Sequence, residues 1–170
     1  MTDALREWVA DQTGLTTVWL NPNAPRPARP YASIQITNSA RVGQAYVGPL
    51  DPDDKAPVRF DRDVTISVSV YEAADNPDPR SAFQRAESLR DSLDLRGVRD
   101  LLYAEGWALR STDLLTDAPQ MLDTQWEPRA VFDATFGTRS EILDDLGFVD
   151  QINITGDASG QTVIDEEVTA

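Results

Sequence analysis

Carboxylates are the only side chains in this sequence grouped closely enough to suggest a reaction centre. Asp51 lies near Asp53 and Asp54, Asp61 near Asp63, and Asp144 adjoins Asp145. Converging carboxylates bind hard divalent cations, and a facing pair suits acid and base roles in hydrolysis. The stretch holding Asp51, Asp53 and Asp54 lacks the central Gly and terminal Glu of a helix-loop-helix calcium site, so a solvated turn accounts for it better. Asp61 and Asp63 would share one face of a strand, but Arg59 and Arg62 border them, which favours surface ion pairing over catalysis.

Other catalytic chemistries lack their parts. The chain has no histidine and no cysteine, which removes the usual neutral-pH general base, thiolate nucleophiles, disulfides and the commonest ligands of transition metals. Ser159 lies between Gly156 and Gly160 with no histidine to activate it, and Gly-Asp-Ala-Ser-Gly does not match a phosphate-binding loop. Arg26 and Arg29 sit among prolines, a composition that suits a polyproline ligand for an aromatic groove. A rigid lead into the next strand is the favoured reading. Trp8 and Trp107 occupy apolar patterns as core candidates, whereas Trp19 and Trp126 fit either a half-buried position or a partner contact. No residue is assigned as catalytic, cofactor-binding or metal-binding.

Composition narrows the class further. With 170 residues, 41% of them hydrophobic, the chain is long enough for one core and too apolar for disorder. It contains no apolar run of the roughly 18 residues that a membrane helix needs, and its start has neither the basic nor the apolar stretch of a secretory signal. The expectation is a soluble protein, with no membrane partner, that remains in the compartment where it is made. The net charge of -14 opposes general binding to phosphate backbones. Asp157, Asp165, Glu166 and Glu167 supply part of it, but the remaining 15 basic and 25 acidic residues still leave -10. The acidity therefore extends to the folded body.

The elements that would position these residues follow from periodicity. Residues 3–13 read as a helix with Leu5, Trp8 and Val9 on one stripe, Thr2 or Asp3 as cap and Gly14 as stop. A short strand, 16–20, precedes a connector, 21–30, whose four prolines forbid a regular ladder. From Tyr31 the alternation of Ala32, Ile34 and Ile36 with polar residues predicts a strand that continues through Tyr46. Residues 48–57 read as an exposed excursion, and 59–71 as a central strand with Val64, Ile66, Val68 and Val70 on one face. Together they form a long β-hairpin.

Asp78 and Pro79 open a predicted helix packed through Phe83, Ala86, Leu89 and Leu93, and Gly97 breaks or offsets a further turn or two through Val98, Leu101 and Leu102. Strands follow over 107–115, over 129–136 with Ala130, Phe132, Ala134 and Phe136 alternating, and over 148–154. The order predicts an α+β fold, a mostly antiparallel sheet packed against two helices. A single domain is expected over 1–155, followed by a flexible acidic tail over 156–170. With no catalytic inventory, the expectation is a protein that works by assembling with other proteins.

Several segments resemble the neck or tail terminator (tail completion) proteins of tailed bacteriophages: LREWVADQTGL, WLNPNAPRPARPYASIQI, DVTISVSVYE, the helix around LRDSL, LLYAEGWALRSTDLLTDAPQML and WEPRAVFDATFG. The resemblance spans roughly residues 3–155, and its family-like positions are Trp19, Asn23, Pro25, Pro30, Tyr31, Tyr71, Leu89, Trp107, Trp126 and Arg129. It implies a non-enzymatic virion protein without cofactor, assembled in the host cytoplasm into a homo-oligomeric ring, commonly a hexamer. Such a ring sits at the neck, caps the tail tube protein and meets the head-tail connector or head-completion protein, while packaged DNA only passes through its channel. A head-completion or connector adaptor is the alternative within this class. A small metal-dependent hydrolase using residues 51–63 is the alternative outside it.

Overall fold

The computed structural model describes residues 3–145 apart from 21, 22, 24, 54, 74, 77, 79, 123 and 124, together with 157–158 and 161–162. The chain divides into two compact units, Met1–Gln44 with Phe60–Ser140, and Ala45–Arg59 with Glu141–Ala170.

The first unit begins with α1 (Asp3–Thr13), which buries Leu5, Trp8 and Val9 as the stripe predicts. It ends where the Gly14 N–H donates to the Ala10 carbonyl at 2.8 Å and Gly14 takes φ 67, a conformation that costs glycine least. β1 (Thr16–Trp19) pairs in parallel with the start of β2 (Tyr31–Val47), Thr16 opposite Tyr31 and Trp19 opposite Ile34. β3 (Lys55–Tyr71) lies next to β2, and β8 (Arg129–Asp145) next to β3. Side-chain bonds from Thr65 to Thr135, Arg139 to Asp61 and Arg129 to Ser69 pair rising numbers in β3 with falling numbers in β8, so these strands are antiparallel. β4 (Ala108–Thr112) and β5 (Thr116–Asp117) both pair antiparallel with β8. The sheet is mixed, with the order β1-β2-β3-β8-β4.

Two further helices, α2 (Ser81–Ser92) and α3 (Arg96–Ala104), complete the layer, and α1 packs on α2, α3 and β1. The Trp8 indole N–H donates to the Ser92 hydroxyl at 3.0 Å, and that hydroxyl donates onward to the Leu89 carbonyl at 2.6 Å. A buried indole thus keeps its partner inside an apolar layer. Val64, Ile66, Val68 and Val70 of β3 are buried with Ala130, Phe132, Ala134 and Phe136 of β8 in one cluster that includes Leu5, Leu89 and Leu102. β3 lies in the middle of the sheet, and at its end Ser69, Tyr71 and Glu72 are buried as well.

Several local readings differ from the structure. Ile36 is exposed although Ala32 and Ile34 are buried: the core cluster takes in Ala32 and Ile34 and does not reach Ile36. Asp78 does not cap α2: its carboxylate accepts the Arg80 N–H at 3.0 Å, and Arg80 occupies the cap without a side-chain bond. Pro79 lies outside the described residues. Gly97 falls inside α3; the helix break precedes it, between Ser92 and Arg96. Leu101 is exposed while Leu102 is buried. The 107–115 segment becomes β4 and an irregular stretch, and β6 (Gln120–Leu122) with β7 (Gln125–Glu127) forms a separate antiparallel ribbon. The strand predicted over 148–154 lies outside the described residues. No helix among the described residues is long and apolar enough to cross a membrane.

In the second unit, the Gly48 N–H donates to the Pro57 carbonyl and the Asp51 N–H to the Lys55 carbonyl, each at 2.8 Å. A Cβ at Gly48 would lie 2.7 Å from the Pro57 ring, so the crossing needs glycine. The turn is tighter than the sequence suggests, since β3 already begins at Lys55. Beyond residue 145 the described residues are a short antiparallel pair, Asp157–Ala158 with Gln161–Thr162. Asp51 and Asp53 are exposed, and such a turn adds little to a core. Deleting residues 51–55 should therefore leave the melting temperature within about 3 °C. Loss of cooperative unfolding in calorimetry would show the turn to be part of the core.

Candidate functional site

The aspartates that invited a catalytic reading do not converge. The Asp51 carboxylate accepts the backbone N–H of Asp53 at 2.9 Å and of Lys55 at 3.0 Å, the geometry of a self-bonded turn. Asp61 accepts from the Arg139 Nε at 2.9 Å, and that hydrogen bond holds its carboxyl below the usual range. Asp63 faces a different cation, Arg110, at 3.8 Å. Asp144 and Asp145 are exposed at the end of β8. Asp54, Gly156, Ser159 and Gly160 lie outside the described residues. Among the described residues no group of three or more His, Cys, Asp or Glu could hold a metal.

A different constellation is built around the proline-rich connector. Tyr31, the first residue of β2, stacks on Tyr71, near the end of β3, with ring centroids 4.5 Å apart and planes 11° from parallel. The Arg129 guanidinium lies 5.4 Å from the Tyr71 ring and donates to the Ser69 hydroxyl at 3.1 Å. Beside this stack, the Glu127 side chain is 1% exposed and forms ion pairs with Arg29 and, at 3.6 Å, with Arg26. Arg26 and Arg29 thus serve as ties that hold the connector to β7, in line with a structural lead into β2. A cavity of about 90 Å³, lined by Trp19, Leu20, Pro25, Pro27 and Tyr31 among others, lies beneath it.

Neighbouring ties fix the frame. Buried Glu72 accepts from the Arg85 Nε at 2.8 Å and from the Asn76 amide at 3.3 Å, and Arg85 also donates to the Thr13 carbonyl at 3.1 Å, joining α2 to the end of α1. Of the family-like positions, Trp19, Pro25, Tyr31, Tyr71 and Arg129 fall in or beside this constellation, whereas Leu89 and Trp107 are core residues, the latter edge-on to Phe136 at 5.9 Å. Asn23 and Pro30 are exposed. Trp126 is 59% exposed, opposite the exposed Met121 on the β6–β7 ribbon. Trp19 is partly buried against the core. Of the two tryptophans left open by the sequence, Trp126 is the one that faces outward.

Glu127 is not legible in the sequence, because nothing in Trp-Glu-Pro marks a buried carboxylate and its cations come from a distant part of the chain. The arrangement offers no nucleophile beside a base. Its chemistry is that of a fastening: aromatic stacking, cation–π contact and ion pairs that hold irregular backbone in place.

Burial pushes the Tyr31 hydroxyl above the ordinary tyrosine value of 10.0; nearby Tyr71 and Glu127 push the same way, and Arg26 and Arg29 oppose them. The fold favours its protonated form, so the associated stability is complete below pH about 10 and is lost as pH rises through the raised value. In phenolate absorbance, an ionisation step above the ordinary tyrosine value should belong to Tyr31, and Tyr31→Phe should remove that late step. A late step that survives the substitution would reject this assignment.

Residues 1–166 match a family model described as phage neck terminator protein. No curated protein matches the chain.

Proposed function

The chain belongs to the phage neck terminator family, and from that premise we propose that it forms a closed ring, on the order of six copies, at the head-proximal end of a phage tail. There it ends growth of the tail tube and offers a surface to the head connector or head-completion protein. The family match over residues 1–166 carries this reading. The match supports a structural role in joining head and tail and a location in the virion neck.

Size, geometry and charge favour a ring. One domain of this size cannot encircle a duplex, whereas a head-to-tail contact whose rotation closes makes a channel from repeated copies of the same surfaces. Two neighbour contacts of about 800 Å² each suffice for a stable ring. A net charge of -14 lets packaged DNA pass without adhering. Assembly takes place in the host cytoplasm before heads and tails join, and the excursion over 48–57 docks on the tube. Residues 1–155 act as one assembly domain. Engagement of Asp61 and Asp63 by separate arginines argues against hydrolysis.

The test is omission. Particles produced without this chain should contain unjoined heads and tails of unregulated length, restored by supplying the chain in trans. Normal joined particles in its absence would reject the proposal.

A further inference from the structure

β1 covers only the beginning of β2, through residues 31–34, with a last bond from the Leu20 N–H to the Ile34 carbonyl at 2.8 Å. Past that point no strand among the described residues pairs with the outer side of β2. Residues 35–42 are exposed throughout. Because strand residues alternate sides, the backbone groups of Ile36, Asn38, Ala40 and Val42 point the same way as the Ile34 carbonyl, outward, up to Gly43 at φ 69. This open edge is about 26 Å long at ~3.3 Å per residue.

Proteins blunt such edges with charge, proline, shortness or cover. In a chain with 26% charged residues, this edge carries one charge, Arg41, and no proline. The Arg41 guanidinium is turned onto the Phe60 ring at 4.1 Å. Nothing in the segment discourages another strand from pairing with it.

A matching open edge exists on the other side of the sheet. β4 and β5 cover β8 only up to Gly137, and no strand among the described residues covers that side beyond it. We propose that residues 35–42 on the outer edge of β2 pair with the outer edge of β8, past Gly137, in a second copy of this chain. This rests on the ring reading above and names its interface. β2 and β8 are each antiparallel to β3, so they run in the same direction. Rotation about an axis along the strands preserves direction, so each junction is parallel, and repetition of two different edges closes a ring. Pairing of β2 with β2 would instead give a two-fold antiparallel dimer.

The chain contains no cysteine, so introduced thiols report the contact cleanly. Within one copy, β3 separates β2 from β8 by two strand spacings, about 9.6 Å, beyond the ~7 Å Cα limit for a disulfide. In tail particles assembled with Ala40→Cys plus Ser140→Cys, or with Asn38→Cys plus Ser140→Cys to sample a register shifted by two residues, oxidation of at least one pair should link neighbouring copies, and only when both cysteines are present. Dimers from Ala40→Cys or Asn38→Cys alone would overturn the assignment in favour of β2 pairing with itself. If the variants fail to assemble, amide exchange of the unsubstituted chain decides: Ile36, Asn38, Ala40 and Val42 should exchange at least about tenfold more slowly in particles than in the dilute protein. Unprotected amides in a particle that does contain a ring would overturn the edge pairing and leave the ring standing. A single copy per particle would overturn both.

Discussion

Val68→Asp should abolish folding. Val68 is fully buried in β3, the middle strand of the sheet, within the cluster that joins α1, α2 and β8. An aspartate there must either ionise without a partner in an apolar layer or take up a proton and still lack hydrogen bonds. Either cost rivals the whole margin of a domain, roughly 5–15 kcal/mol. The variant should be insoluble or show no cooperative unfolding in circular dichroism. Thr65→Asp is the control. Thr65 is half-buried, its hydroxyl 3.2 Å from that of Thr135, and a carboxylate there reaches water, so that variant should fold. Soluble Val68→Asp protein with a sharp transition would mean that the buried face of β3 has been misassigned.

The second large effect is an asymmetry within one ion pair. Arg29→Met leaves the Glu127 carboxylate buried, with Arg26 at 3.6 Å as its remaining cation. Breaking a buried pair in that direction costs about 3–5 kcal/mol, because the uncompensated charge stays inside. Glu127→Gln leaves two arginines that are 29% and 55% exposed. Water solvates them, and the loss should be about 1 kcal/mol. The double variant should be more stable than Arg29→Met alone, since the stranded charge is gone. Urea denaturation of the three variants checks the order. Equal losses for the two single variants would show that the Glu127 carboxylate is not desolvated as the structure has it.

The same contrast explains which parts of the fold are legible in the sequence. Val64 to Val70 and Ala130 to Phe136 alternate because one face of each strand packs on the core, and that burial imposes the period. α1 is equally plain, with Leu5, Trp8 and Val9 on one stripe. β8 continues to Asp145 with its far part exposed, where no period is imposed, and the sequence suggests a strand only to Phe136. β2 beyond Ile34 is weakly marked for the same reason. The parallel pairing of β1 with β2 depends on where the connector is fastened, and the fastening depends on Glu127. Tyr31, Tyr71 and Arg129 stand out through family resemblance, but the Tyr31–Tyr71 stack depends on β2 lying beside β3, and the Arg129 contact on β8 lying beside β3. No local pattern encodes that proximity.

Counting subunits in purified necks decides whether the chain closes into a ring at the head-proximal end of the tail. Native mass spectrometry of the isolated neck, combined with electron microscopy of intact particles, gives number and position together. A rotationally symmetric ring on the order of six copies should lie between tube and connector. A single copy, an asymmetric cluster, or a location at the distal tip of the tail would contradict it.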